Sequence, residues 1–172
     1  MPHTLSAILT VAPTVLAATA LLAAAAHDVI ARTVPNRLAL LIALPGVAAR
    51  IADGHLLAGL TAGAIVFVIA AFCWRRGWLG GADVKLLGAV AIVLPLAVLP
   101  MFIVAMSVAG ALHAAAYLSL RRIIPPPPPG RPSRLLSRAL RAERWRIVRG
   151  GPLPYACAIA AGFLFAIFRQ GV

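Results

Sequence analysis

The sequence predicts an all-α, polytopic membrane protein with about six transmembrane helices and its N-terminus outside the cytoplasm. Its 172 residues are 62% hydrophobic, with a mean hydropathy of +0.97, which is too apolar for a soluble globular domain. Apolar runs of about 20 residues recur, and each is long enough to cross a hydrocarbon core about 30 Å thick. Most of the Lys and Arg residues border these runs, where they help to set topology.

The net charge of +12 does not indicate a nucleic-acid-binding protein, because of where the charges lie. Nine of the sixteen basic residues fall between Arg121 and Arg149, and most others flank apolar segments. The two cysteines, Cys73 and Cys157, are isolated in apolar runs, so neither a zinc site nor a disulfide framework is predicted. We expect no metal, no cofactor and no nucleic-acid partner.

Six apolar segments are predicted to cross the membrane. In chain order they are about Leu5–Ala26, Leu38–Ala49, Leu56–Trp74, Val84–Leu94, Pro100–Leu120 and Pro154–Phe168. No Lys or Arg precedes Arg32, so the first segment lacks the charged start of a signal peptide and is interpreted as a retained membrane anchor. The polar connection His27–Arg37 ends this segment, because Pro35 biases Val34 toward an extended conformation.

Turn and breaker residues separate the later segments. Asp53 and Gly54 form a turn signal before the third segment. The apolar run Leu86–Leu120 is too long for one helix, so Pro95 and Pro100 are predicted to break it.

The chain is predicted to be a single membrane-embedded domain over residues 1–172, with a basic, Pro/Arg-rich cytoplasmic loop at residues 121–151. Prolines 125–129 predict a stiff, extended spacer. The basic segment 131–149 interleaves arginines with leucine and tryptophan, which is typical of an amphipathic helix on anionic lipid head groups. Docking onto a partner protein is the alternative.

Charge placement predicts which ends of the helices face the cytoplasm. Six alternating spans with the N-terminus outside place fourteen of the sixteen basic residues on the cytoplasmic side, leaving Arg50 and Arg169 outside. Asp28 and Asp83 then lie at cytoplasmic ends of their spans, whereas Asp53 lies on the opposite side. Asp28 and Asp83 are therefore the two aspartates that can meet.

Only four residues of the chain are acidic, and one of them opens an apolar helix. The four are Asp28, Asp53, Asp83 and Glu143. Asp83 comes shortly after Gly80 and Gly81 and two residues before Lys85. A carboxylate costs on the order of 2.5–3.5 kcal/mol at the centre of a membrane helix, and less near an interface, so such a residue is a candidate functional group.

Two aspartates around one water molecule can hydrolyse a peptide bond. They cannot both ionise easily, so they share a proton. The ionised carboxylate takes a proton from water, and the protonated one donates to the scissile carbonyl. Gly80 and Gly81 allow close approach of a substrate backbone, and Lys85 balances charge, shapes the site or holds a lipid phosphate.

The spacing alone leaves other interpretations open. Asp83 is also a suitable N-cap for the fourth span, and Asp28 is also suited to be a loop acid paired with Arg32. Two aspartates in a membrane protein can equally form a proton or cation path.

Three short motifs resemble those of the prepilin peptidases, aspartic intramembrane-type proteases of the Gly-x-Gly-Asp class. They are Asp28 through Pro35-Asn36, Gly80 through Leu87, and the late Pro154-Tyr155-Ala156. The resemblance implies that Asp28 and Asp83 are catalytic and that the protein lies in the bacterial inner membrane. Ala82 and Ala156 stand where the family pattern usually has glycine.

The chain looks like the small, peptidase-only branch associated with Flp-type (tight-adherence) pili. Larger members of the family have a cysteine-bearing cytoplasmic segment together with N-methyltransferase activity. This chain has no such segment. The implied substrate is a pilin precursor or pilin-like protein, cut on the cytoplasmic side after its basic leader. We expect the two carboxylates to assemble fully only with substrate bound. The rival hypotheses are a non-enzymatic subunit of a pilus or secretion machine and a small ion or proton carrier.

Four other polar residues are given structural roles. His27 is expected at the membrane surface, and His113 is expected to pack against another helix through a hydrogen bond. Asp53 is interpreted as a turn residue, and Glu143 as a partner for nearby arginines.

Overall fold

The computed structural model describes residues 2–128 and 133–170, and of residues 2–10 and Leu135 it describes the backbone alone. This part of the chain is helical and contains no strand, which confirms the all-α prediction. The helices are α1 (Pro2–Ala31), α2 (Asn36–Ala52), α3 (Leu56–Arg75), α4 (Gly81–Val93), α5 (Leu99–Ile123), α6 (Leu135–Arg149) and α7 (Ala156–Arg169).

Three helical segments among the described residues are long and apolar enough to cross a membrane. They are Val11–Ala31, Leu56–Arg75 and Leu96–Ile123. Helix α7 is apolar but shorter, and α2 and α4 have 17 and 13 residues, or roughly 25 and 20 Å at 1.5 Å per residue. The chain is thus an apolar helical membrane protein, and the count of six spans stays a prediction.

Helix α1 runs further than the sequence predicts. It continues to Ala31, so Asp28 lies in its last turn and not in a polar connection. No glycine or proline interrupts residues 27–31, and their polar side chains are compatible with a helix end. The chain leaves the helix at Arg32, whose φ of 56° is left-handed, and the extended Pro35 precedes α2, as expected.

The predicted break between the fourth and fifth segments is present. Helix α4 ends at Val93, and Leu94 is extended (φ −75°, ψ 141°), as the residue before Pro95 should be. A 3-10 turn, Leu96–Val98, follows. Pro100 lies in the first turn of α5, where its missing N–H breaks no helical hydrogen bond. The two prolines therefore mark the break as predicted, with Pro95 after the end of α4 and Pro100 at the start of α5.

Helix α4 is the centre of the packing. It contacts α2, α3 and α7, and its buried residues occupy every face: Asp83, Val84, Leu86, Leu87, Gly88, Ala89, Val90, Ala91 and Val93. A helix that is apolar all round is a buried one. The short helix that carries Asp83 is thus held on several sides by its neighbours.

Small residues let the helices approach closely, as is common in membrane proteins. A Cβ atom on Gly63 of α3 would lie 3.2 Å from the carbonyl oxygen of Gly88 in α4. A Cβ atom on Gly88 would lie 3.1 Å from the Phe67 side chain. The α3–α4 crossing therefore requires glycine on both helices.

Hydrogen bonds at the two ends of the bundle fix the directions of α2 and α4. At one end, Lys85 Nζ donates to Asn36 Oδ1 at 2.6 Å. At the other, Arg50 Nη2 donates to the Val93 carbonyl at 2.7 Å, and Arg50 Nη1 contacts Asp53 Oδ2 at 2.6 Å. Asp53 therefore lies at the end away from the start of α4, and its predicted turn is present.

The loop between α5 and α7 contains the expected helix. The predicted proline spacer has no helical structure from residue 124 to residue 128. The remainder of that spacer and the start of the basic segment, residues 129–132, lie outside the described residues. The basic segment forms α6, one side of which contacts α1 and α5.

Candidate active site

Asp28 and Asp83 are the two charged side chains that are buried among those the structure describes. Their exposed fractions are 7% and 6%, whereas Asp53 is exposed and Glu143 is intermediate. Burying a carboxylate is costly unless other groups compensate it. The sequence singled out the same two residues from their position along the chain.

Asp83 is in the first turn of α4 and is not its N-cap. Gly80 is the N-cap, and its N–H donates to Asp83 Oδ2 at 3.2 Å. A Cβ atom on Gly80 would lie 2.9 Å from the same carboxylate oxygen, so a side chain there would displace Asp83. On Gly81, a Cβ atom would lie 3.4 Å from Trp74 Nε1. Gly80 thus fits a tight turn around the carboxylate, whereas a Cβ atom on Gly81 would make an ordinary contact with Trp74.

Asp28 contacts the start of α7 and does not pair with Arg32. Its Oδ2 accepts a hydrogen bond from the Ala156 backbone N–H at 3.4 Å. An unpaired N–H at the N-terminus of a helix favours a negative charge. Arg32 instead forms an ion pair with Glu143, which excludes the loop-acid interpretation of Asp28.

Both buried carboxylates lie where α1, α4 and α7 contact one another. No hydrogen bond joins Asp28 directly to Asp83 among the contacts of residues 2–128 and 133–170. Within the same ranges neither Oδ1 atom bonds to protein, which leaves one oxygen of each carboxylate to water or substrate.

The comparisons with known proteins identify the family of the chain. The sequence profile of the type IV leader peptidase family matches residues 15–115, which is more than half of the chain and includes both aspartates. The chain belongs to the type IV leader peptidase family. Its function is that of a prepilin leader peptidase, with a protein substrate. No curated protein and no solved structure gives a significant match.

Ala82 and Ala156, which stand where the family pattern usually has glycine, both pack against the core of the bundle. Ala156 is fully buried and bonds to Asp28 through its backbone N–H, which any residue except proline can supply. Ala82 is partly buried against the core. The contact between the late motif and Asp28 was not predicted from the sequence.

Lys85 lies beside the candidate site but bonds away from it. Its ammonium group donates to Asn36, and no ion pair with Asp83 occurs in the described part of the peptidase. Lys85 therefore joins the start of α4 to the start of α2. Its role in the site stays a prediction.

Glu143 is the centre of a second polar cluster at the same end of the bundle. Its Oε1 accepts hydrogen bonds from Arg32 and from the Tyr117 hydroxyl, and its Oε2 accepts one from Arg146 Nη1 at 3.0 Å. The prediction that Glu143 pairs with nearby arginines is confirmed for Arg146. Arg32 and Tyr117, which are distant along the chain, were missed.

The cluster gives a pH-dependent contribution to stability. Partial burial opposes ionisation, but hydrogen bonds from Tyr117, Arg146 and Arg32 hold the pKa of Glu143 below its usual range. A carboxylate whose pKa is lower in the folded state than in the unfolded state stabilises the fold. This stabilisation is complete above the ordinary pKa of the group, and it is lost as the pH falls through the lower, folded-state pKa.

Glu143→Gln is therefore expected to lower the melting temperature of the peptidase at pH 7 but not below about pH 4. Thermal unfolding in detergent across this pH range measures the difference. An equal difference at every pH would contradict the ionised state assigned to Glu143.

The two histidines of interest have no contact with the aspartates among the described residues. His27 Nδ1 bonds to the Thr33 carbonyl oxygen, in agreement with a position at the end of the bundle. The His113 ring contacts Tyr117 edge to face, with centroids 4.7 Å apart. Tyr117 lies on the same helix, and the predicted hydrogen bond to another helix stays a prediction.

Proposed function

We propose that the peptidase is an aspartic endopeptidase that removes the basic leader of Flp-type prepilins or pilin-like proteins. Asp28 and Asp83 activate the attacking water. Gly80, Gly81 and Lys85 form the supporting loop. Cleavage takes place at the cytoplasmic face of the inner membrane, without methylation of the product.

The burial of Asp28 and Asp83 at one end of the bundle is the observation that carries this proposal. A proton path would also bury acids, but the family match includes both residues and belongs to a family of peptidases. Backbone N–H groups from Gly80 and Ala156 hold one oxygen of each carboxylate. In this proposal, the other oxygen of each carboxylate binds the attacking water molecule.

The reaction needs one proton on the pair. The ionised carboxylate removes a proton from water while the water oxygen attacks the scissile carbonyl carbon, and the protonated carboxylate donates to the carbonyl oxygen. The tetrahedral intermediate then breaks the C–N bond, and a proton from the pair passes to the leaving amine. As the C=O bond re-forms, one hydroxyl proton of the intermediate passes to the pair, which therefore returns to one proton, and the leader leaves with a new carboxyl group.

Charge placement supports the cytoplasmic face. Asp28, the start of α4 and the basic α6 meet at one end of the bundle, and Asp53 lies at the other. With six spans and an outside N-terminus, the end that carries the excess of arginine faces the cytoplasm. Residues 1–172 then form one membrane domain, and arginines of the 131–149 segment contact anionic lipid head groups.

Cleavage by the purified peptidase is the test. The protein is reconstituted in liposomes with a full-length pilin precursor from the same genome, and mass spectrometry locates the cut. We expect one cut directly after the basic leader. No cut of any pilin-like precursor by a well-folded peptidase would favour the non-enzymatic assembly subunit. Ion or proton flux that is lost in Asp28→Asn and Asp83→Asn, with precursor left intact, would favour the carrier.

A further inference from the structure

We propose that α6 supplies a positioning cluster for the end of α1 that bears Asp28. The cluster consists of Glu143 and Arg146 from α6 and Arg32 from the α1–α2 connection. The inference rests on the proposed function, in which Asp28 is one of the two catalytic acids. None of the three cluster residues is proposed to touch the substrate.

Arg146 binds the backbone directly beside Asp28. Its Nη1 donates to the Val29 carbonyl at 2.7 Å and its Nη2 to the Ile30 carbonyl at 3.2 Å. The last four carbonyls of a helix lack partners within the helix, and Arg146 satisfies two of them at the end of α1. The guanidinium group therefore fixes the last turn of α1, which includes Asp28, against α6.

Arg32 joins the two segments that determine the surroundings of Asp28. Its left-handed backbone is uncommon for a residue with a side chain and persists where neighbouring contacts hold it. Its N–H donates to the Asp28 carbonyl at 2.9 Å, and its Nη1 donates to the Pro152 carbonyl at 2.7 Å. Pro152 lies in the connection to α7, whose first N–H bonds to the Asp28 carboxylate.

Glu143 holds the two guanidinium groups together. The side chains of Arg32 and Arg146 are 15% and 26% exposed, so their charges repel with limited screening by solvent. The Glu143 carboxylate lies between them and accepts from both. Without its charge, both arginines lose the carboxylate that they share, which leaves their contacts with the end of α1 and with the connection to α7 less firmly held.

A similar contact at the far end of the bundle provides a matched control. Arg50 pairs with Asp53 and donates to the Val93 carbonyl at the end of α4. This arrangement has the same parts as the Glu143 cluster: an arginine, a carboxylate and a carbonyl at a helix end. It lies away from Asp28, so its loss should affect stability without moving the catalytic pair.

The test compares Glu143→Gln with Asp53→Asn in the liposome cleavage assay. Rates are expressed per folded molecule, so that a smaller folded fraction does not imitate a slower reaction. We expect kcat of Glu143→Gln to fall about 10- to 100-fold, because small misplacements of catalytic groups slow reactions by such factors. KM should stay within about twofold of the parent value. Asp53→Asn should keep the parent values of both constants.

Two variants of Arg146 keep the inference testable if Glu143→Gln does not fold. Arg146→Met removes both carbonyl contacts and should lower kcat. Arg146→Lys keeps the positive charge and a donor group, so its kcat should lie between those of the parent and of Arg146→Met. The proposal is overturned if the folded variants keep kcat within twofold of the parent, or if KM alone changes. A parent protein that cuts no precursor would instead overturn the proposed function.

Discussion

The double variant Asp28→Asn/Asp83→Asn is expected to be no slower than either single variant. Each single substitution should lower the rate of leader cleavage about 10³-fold, within the range found for acid–base groups. Because one carboxylate activates water only when the other holds the shared proton, loss of either stops the same step. Groups that act as a unit give such non-additive losses.

Single-turnover cleavage of a purified precursor by the four proteins measures this coupling. Size-exclusion profiles and melting temperatures in detergent should match those of the parent, since asparagine keeps the shape of each side chain. Losses that multiply in the double variant would contradict a shared proton and would assign the two aspartates to separate steps.

The substitution Gly162→Val should have the largest effect on stability. A Cβ atom at this position would lie 2.7 Å from the backbone nitrogen of Met106 and 2.8 Å from its Cα, so α5 and α7 would have to separate. Overpacking of this kind costs about 3 kcal/mol, which corresponds to a melting temperature on the order of 10 °C lower. Cleavage should also slow, because α7 carries the N–H that bonds to Asp28.

Ala161→Val is the matched control on the same helix. Ala161 is exposed, so this substitution introduces the same valine side chain on an exposed face of α7. The melting temperature of the Ala161→Val variant in detergent should therefore stay near that of the parent. An equal fall in melting temperature in both variants would mean that the low helix propensity of valine, and not the α5–α7 contact, causes the loss of stability.

The features that could be predicted from the sequence depend on residues that are close together along the chain. The glycines before Asp83 and the apolar residues after it are contiguous, so the start of α4 and its carboxylate could be recognised as one motif. The pairing of Asp28 with Asp83 followed from charge placement, because basic residues bordering the apolar segments put both acids at one end. The turn at Asp53 follows the local Asp-Gly signal.

Contacts between distant parts of the chain could not be predicted. Ala156 bonds to Asp28 across 128 positions, and Arg32 reaches Glu143 across 111. The longer α1 also depends on distant residues, because Arg146 of α6 supplies partners for the Val29 and Ile30 carbonyls at its end. Sequence patterns showed that α6 is basic and amphipathic, but they did not show that one side of it contacts the helix bearing Asp28.

Leader removal in cells tests the central claim most directly. A pilin precursor from the same genome is co-expressed with the parent peptidase, Asp28→Asn, Asp83→Asn or Asp53→Asn, and the leader is followed by gel shift and mass spectrometry. Cleavage by the parent and by Asp53→Asn, but by neither of the other two, is the predicted result. Full cleavage by Asp28→Asn or Asp83→Asn, at parent expression levels, would contradict the catalytic pair.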